Sequence, residues 1–357
     1  MIGRLAERKI GGIALVSVLL LVASACGGSS TAATGASCTP AKTPVITFAA
    51  YSAPREVYGK IIPAFLAKWK ADHNGQNVIF QESYGGSTTQ AQNVINGFQA
   101  DVVALSLVPD VDMIKKAGLI TRDWTQAPDG GMVSTSVVAF DVRPGNPKHV
   151  KDWNDLTQSG LAIVTPDPAQ SGGARWNIVA AYGAAERGKV TGVSGDDSGA
   201  QSLLQGIFRN VTVLDKSARD SIKNFESGNG DVAITYENEV FTAQKAGLPD
   251  QMVIPSSTIL IENPVAVVDK YATQHCVRDV ADAFVAFLHT QVAKDLYTKT
   301  GFLRPTDKAV AQAGDGAKFA PIQDLFTAAD LGGWDQISTK VFGTDGIFTK
   351  AFAAAHG

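Results

Sequence analysis

Apolar residues along this chain come in short runs that alternate with longer stretches of helical period. Val45–Ala50 reads as a buried strand, and Pro54 suits the first turn of a helix striped by Val57, Ile61, Phe65 and Trp69. Val78–Gln81 is a second strand, after which Gly85, Gly86 and Ser87 lead into a helix with Ala91, Val94, Ile95 and Phe98 on one face. Val102–Leu107 is almost wholly apolar, as a buried parallel strand should be. Val137–Val142 follows and ends in the loop Arg143-Pro144-Gly145-Asn146-Pro147. A second set then begins: strand Leu161–Thr165, a helix opened by Ser171-Gly172-Gly173, strand Val211–Leu214, a short helix with Ile222 and Phe225, strand Val232–Tyr236 and a helix from about Glu239. Val265–Val268 looks like a return strand, and helices carrying Val280, Phe284, Phe287 and Leu288 finish the chain. Strands alternating with helices predict an α/β fold of mainly parallel sheets flanked by helices. Crossings near residue 144 and near 255–264 divide it into two lobes with a cleft between, lobe I being 44–143 plus 264–357 and lobe II 144–263.

At four places a strand runs into a serine and then into a helix: Ser52, Ser87, Ser171 and Ser217. The first N–H groups of a helix have no intrahelical partner, and they attract anions. In open parallel sheets ligands gather where such helix starts face the carboxyl ends of strands. A single serine before a helix is ordinarily a cap. Four of them, two beside glycine pairs that let backbone approach a ligand closely, point instead to an anion site. Each helix start acts as about half a positive charge, so four would offset about two negative charges.

No catalytic or metal-ligating pattern accompanies them. The chain has no G-x-x-x-x-G-K-[ST] loop and no G-x-S-x-G elbow, and its five histidines (73, 149, 275, 289, 356) are scattered. Gly228-Asn229-Gly230-Asp231 precedes a strand, which makes it a turn and not a dinucleotide loop. Glu237 and Glu239 share a face if the strand continues, but a solvated or capping role suits them better. A sulfatase or phosphatase would need a nucleophile and usually a metal cluster; neither is legible, so the expectation is a non-enzymatic binder without metal or cofactor.

Residues 1–26 read as an export signal. Arg4, Arg8 and Lys9 precede the apolar stretch Ile10–Val22, and Ala23-Ser24-Ala25-Cys26 closes it. Small residues followed by cysteine resemble the bacterial lipoprotein signal, which implies cleavage before Cys26 and its lipidation. The expected location is the outer face of the cell membrane, held only by that lipid. Residues 27–43 are small and polar, a flexible tether. Of 31 Lys+Arg and 34 Asp+Glu, three bases and one acid leave with the signal, giving a mature net charge of −5. No basic stripe marks a nucleic-acid surface. Cys38 and Cys276 either pair or remain free thiols in an exported chain, where disulfides survive.

Ser52-Ala53-Pro54-Arg55-Glu56, Gly85-Gly86-Ser87, Asp152-Trp153-Asn154-Asp155-Leu156, Ser171-Gly172-Gly173-Ala174-Arg175-Trp176-Asn177 and Glu237-Asn238-Glu239 resemble the sulfate-binding proteins of bacterial ABC importers. The likeness runs from about Val45 into the C-terminal region. It implies a monomeric, two-lobed periplasmic-binding-protein type II fold that closes over dehydrated sulfate and delivers it to permease subunits. Carried onto this chain, the resemblance gives backbone donors at Ser52, Ser87, Gly172, Gly173 and Ala218, and a hydroxyl donor at Ser171. Arg175 and Arg219 match arginines that support the binding peptides without touching the ion. Ser52 replaces an aspartate of the family, and Tyr236 replaces a tryptophan whose indole N–H donates to the anion. Thiosulfate, molybdate or tungstate, and a sensing role in place of import, remain open at this level.

Overall fold

Residues 38–357 are described in a computed structural model. The signal sequence, Cys26 and the tether up to Ser37 lie outside the described residues. The chain begins with β1 (Val45–Tyr51), α1 (Arg55–Asp72), β2 (Ile79–Gly85), α2 (Ser87–Ile95), β3 (Val102–Ala104) and α3 (Val108–Lys116), then enters the long strand β4 (Met132–Val142). Next come β5 (Ile163–Pro166), α4 (Gly172–Glu186), α5 (Asp197–Arg209), β6 (Val211–Asp215), α6 (Ala218–Glu226), β7 (Val232–Tyr236), α7 (Glu237–Lys245) and β8 (Gln251–Val253). A second long strand, β9 (Ser257–Val267), leads to α8 (Asp269–Gln274), α9 (Arg278–Leu288), α10 (Gln291–Gly301), α11 (Lys308–Ala313), β10 (Asp324–Phe326), α12 (Gly333–Lys340) and α13 (Ile347–His356).

The strand order is β2-β1-β3-β9-β4-β7-β5-β6, with β10 beside β9 and β8 beside β4. β1 is parallel to β2 and β3, and β5 is parallel to β6 and β7. These are the two parallel halves expected from the alternating pattern, one in each lobe of the type II fold. Between them β4 and β9 run antiparallel to each other, Ser134–Val137 facing Leu260–Asn263. Val138–Val142 of β4 then pair with β7, while Val265–Val267 of β9 pair with β3. The chain therefore changes lobe inside two extended strands. The loop at 143–147 lies past the first crossing, one of the places where the sequence reading needs correction.

Each lobe has its own core. In the first, the Phe48 ring meets Tyr58 and Phe284 at 4.8 and 5.5 Å between centroids, so α1 and α9 cover one face of β1. In the second, Trp153 packs on Phe140 at 4.9 Å, and α4 and α5 cover the sheet. The C-terminal residues depart from the expected division. Phe348 and Phe352 of α13 pack on Phe208 of α5, and Phe326 of β10 is pressed against Gly183 of α4. From about Asp324 onward the chain thus packs on the second lobe, not the first, because α5 presents an apolar stripe that α13 covers.

Cys38 and Cys276 form a disulfide with their Cα atoms 5.3 Å apart, tying the start of the described chain to the turn between α8 and α9. No helix among the described residues is long and apolar enough to cross a membrane.

Candidate functional site

Three helix starts meet at one place. Gly86, the cap of α2, sits so close to its neighbours that a Cβ there would lie 2.4 Å from the carbonyl oxygen of Gln170 and 2.6 Å from that of Lys216. Those two carbonyls belong to the turns that open α4 and α6. Only glycine permits such an approach. The Thr89 N–H, near the start of α2, donates to Gln170 O at 3.1 Å and so links the lobes directly.

The first turn of α4 lies against the same point. A Cβ on Gly173 would stand 3.3 Å from Ala218 Cβ and 3.4 Å from both Ser171 Oγ and Tyr236 Oη. Five of the seven expected ligand residues, Ser171, Gly172, Gly173, Ala218 and Tyr236, are thereby gathered around two residues of one helix. Ser87 joins them through the α2 start, since its hydroxyl accepts from the N–H of Ser106, whose Oγ would lie 3.0 Å from a Cβ on Gly172. Ser52 is in a turn three residues before α1 and caps nothing; its carbonyl accepts from Arg55 N–H at 3.3 Å. That turn is tied to α6 by Arg219, which donates to Ala53 O at 3.1 Å.

Hydrogen bonding separates the serines by role. Ser217 caps α6, its hydroxyl accepting from Asp220 N–H at 3.2 Å, so it is spent on structure. The Ser87 hydroxyl donates to Asp110 Oδ2 at 2.5 Å, leaving only its backbone N–H for a ligand. Ser171 is the cap residue of α4, yet its side chain makes no capping bond. The N–H groups of Gly172, Gly173 and Ala218, at the first positions of their helices, have no intrahelical partner.

The polar groups here are neutral donors; the nearby arginines are engaged elsewhere, and the Asp110 carboxylate is taken up by the Ser87 and Thr88 hydroxyls. Arg219 spans Glu56 and the buried Glu239, to which its Nε donates at 2.7 Å. Arg175 donates to Pro168 O at 3.0 Å in the turn before α4. Both arginines therefore brace the binding turns from outside. Asp110 is buried, which pushes its carboxyl above the usual range, while the Ser87 and Thr88 hydroxyls and the nearby Arg175 oppose the shift. Burial also raises the Tyr236 phenol well above its ordinary value, so it keeps its proton and remains able to donate.

Some features were not legible in sequence. Ser106 interrupts a run otherwise wholly apolar, and its hydroxyl lies 2.6 Å from Tyr236 Oη; a lone hydroxyl near the carboxyl end of the expected strand was the available signal. The strand itself stops pairing at Ala104, because Leu107 already caps α3. Glu237 and Glu239 are neither solvated nor a carboxylate pair. They open α7, and Glu237 accepts two bonds of 2.6 Å from the equally buried Arg304 while Glu239 takes Arg219. Among the described residues no group of three or more His, Cys, Asp or Glu side chains is placed to hold a metal. Surface clefts such as the one lined by Ile120, Arg122, Trp124 and Asp282 lie away from this meeting point.

Residues 46–303 match the family described as bacterial extracellular solute-binding protein. A sulfate-binding protein of Synechococcus elongatus is 42% identical over 348 residues, 96% of each chain. One from Escherichia coli is 40% identical, covering 84% of this chain and 90% of its own, and a thiosulfate-binding protein of the same organism is 33% identical over 85% and 90%. The solved sulfate-binding protein SubI of Mycobacterium tuberculosis superposes with a TM-score of 0.75 at 37% identity, over 84% of this chain and 99% of that one. With two parallel halves joined by crossing strands, and helix starts from both meeting between them, the chain belongs to the bacterial extracellular solute-binding proteins.

Proposed function

We propose that this chain captures sulfate outside the cytoplasm and delivers it to the permease subunits of an ABC importer, without altering it chemically. The observation that carries this reading is the convergence of the α2, α4 and α6 starts on the Ser171 and Tyr236 hydroxyls, with both nearby arginines turned to other partners. The ligand set is the N–H groups of Ser52, Ser87, Gly172, Gly173 and Ala218 with the hydroxyls of Ser171 and Tyr236. Relatives named as sulfate-binding proteins support the choice of ion.

Sulfate carries no proton at neutral pH, so donors alone satisfy it. Hydrogen phosphate must donate one, and where no acceptor faces it a buried polar group goes unpaired at a cost of about 1–3 kcal/mol. Each charge-assisted bond contributes about 1.5–3 kcal/mol, and half a dozen outweigh desolvation enough for roughly micromolar affinity, about −8 kcal/mol. Cleavage before Cys26 and lipidation of that residue would hold a monomer at the outer face of the membrane, within reach of its permease.

Calorimetric titration of the tether-free domain with sulfate, thiosulfate, molybdate and phosphate at pH 7 tests the proposal. Sulfate is expected to bind tightest; phosphate binding equally well would refute selection by donors, and preference for thiosulfate would reassign the ion.

A further inference from the structure

Ser106 has no part in the ligand set above, yet every polar atom it owns is placed. Its N–H donates to Ser87 Oγ at 2.9 Å, and its carbonyl accepts from Trp176 Nε1 at 2.8 Å. The residue is 1% exposed, and its hydroxyl lies 2.6 Å from Tyr236 Oη. Ser106 follows β3 in the first lobe, whereas Tyr236 ends β7 in the second. The contact therefore spans the cleft and forms only when the lobes are together.

Two hydroxyls in contact share one hydrogen bond, so one proton is left over. Neither hydroxyl has another partner among the described residues. If Tyr236 donates to Ser106, the serine proton is stranded beside Leu107 and Gly172, where burial makes an unpaired donor costly. If Ser106 donates to Tyr236, the remaining proton is the phenol's, at the place beside Gly173 where the Ser171 hydroxyl also stands. The second arrangement uses both protons once an oxyanion is bound.

We propose that Ser106 is a positioning residue for ligand recognition: by donating to the phenol oxygen in the closed protein, it turns the Tyr236 proton toward the bound oxyanion and occupies the lone pair that could otherwise accept. Tyrosine then behaves as a one-way donor, as an indole would. The inference rests on the sulfate reading and adds the group that fixes the polarity of one contact. It also accounts for a phenol serving in a donor-only site, since a protonated oxyanion finds the acceptor face of Tyr236 already taken.

The test is titration calorimetry with sulfate at pH 7 on the wild type, Ser106→Ala, Tyr236→Phe and the double variant, with thermal melts of each. Ser106→Ala is expected to weaken binding about five- to tenfold and Tyr236→Phe about tenfold or more. In the Tyr236→Phe background, Ser106→Ala should change affinity less than about twofold, because the group it positions is gone. Ser106→Thr, which keeps the hydroxyl, should restore binding to within about threefold of wild type. A merely structural Ser106 would instead give the same loss in both backgrounds, and that result, or an unaffected Ser106→Ala, overturns the inference while leaving the sulfate reading intact. If Ser106→Ala does not fold, Ser106→Cys takes its place with a weaker donor; it should lose affinity only when Tyr236 is present, and equal loss in both backgrounds again overturns the inference. Wild-type protein that fails to bind sulfate overturns both.

Discussion

Replacing Gly173 with alanine puts a methyl group among Ser171, Ala218 and Tyr236 of the second lobe, and fold and function should respond with opposite signs. The new carbon would stand 3.3 Å from Ala218 Cβ and 3.4 Å from Ser171 Oγ and Tyr236 Oη, a tight fit that Ala218 must relieve by giving way slightly. Gly173 is helical, so alanine also removes backbone freedom from the unfolded chain, worth about 0.5–1 kcal/mol in favour of the fold. The same methyl shields two hydroxyls from any oxyanion that would accept from them. Losing two charge-assisted bonds of about 1.5–3 kcal/mol each weakens binding roughly a hundred- to ten-thousand-fold. Gly172 is a poorer probe, because its Cβ would lie 2.9 Å from Leu107 Cγ and 3.0 Å from Ser106 Oγ and so disturb the fold as well. Calorimetry with sulfate and a thermal melt of Gly173→Ala read the two effects separately. Binding within about threefold of wild type would refute the placement of the ion, and a marked fall in melting temperature would refute the claim that the position is spare for the fold.

Two further changes probe charges set back from the site. Arg219→Ala strands Glu239, whose side chain is 1% exposed, and should cost about 3–5 kcal/mol in urea unfolding. Glu56→Gln removes the half-exposed partner of the same arginine and should cost at most about 1 kcal/mol; equal losses would contradict the assignment. Asp141 is fully buried in β4 with no partner among the described residues for either carboxylate oxygen, and burial, reinforced by Asp250, pushes its carboxyl up to about 8. The folded chain then holds a proton that the unfolded chain releases near pH 4, so this group favours folding fully in acid and progressively less as pH rises toward 8. Asp141→Asn should gain in melting temperature over wild type as pH goes from 5 to 8.5, with a gap of a few kcal/mol at the upper end; a gap independent of pH would show that Asp141 does not titrate there.

Strands, helix stripes and the serine junctions were legible because each is encoded within about ten neighbouring residues, by period and by capping chemistry. Ser171-Gly172-Gly173 could be read as a helix start with a close approach from sequence alone, and the structure places a helix start there. The lengths of β4 and β9 were not legible, since their added residues include Ser134, Thr135, Thr258 and Asn263, polar groups buried only because the two strands lie between the lobes. Likewise Glu237 and Glu239 read as solvated or capping carboxylates, and only the tertiary structure brings Arg304, 67 residues from Glu237, and Arg219 to them as partners.

What the sequence determined by itself was thus a set of local donors, each at the mouth of its own helix. Which of them face one another was decided by the crossing strands, which set Ser106 against Tyr236 across 130 residues and press Gly86 onto the turns of α4 and α6. Periodicity carries no record of such pairings, because they arise when two separately packed sheets are brought together and their buried polar atoms must find partners in each other.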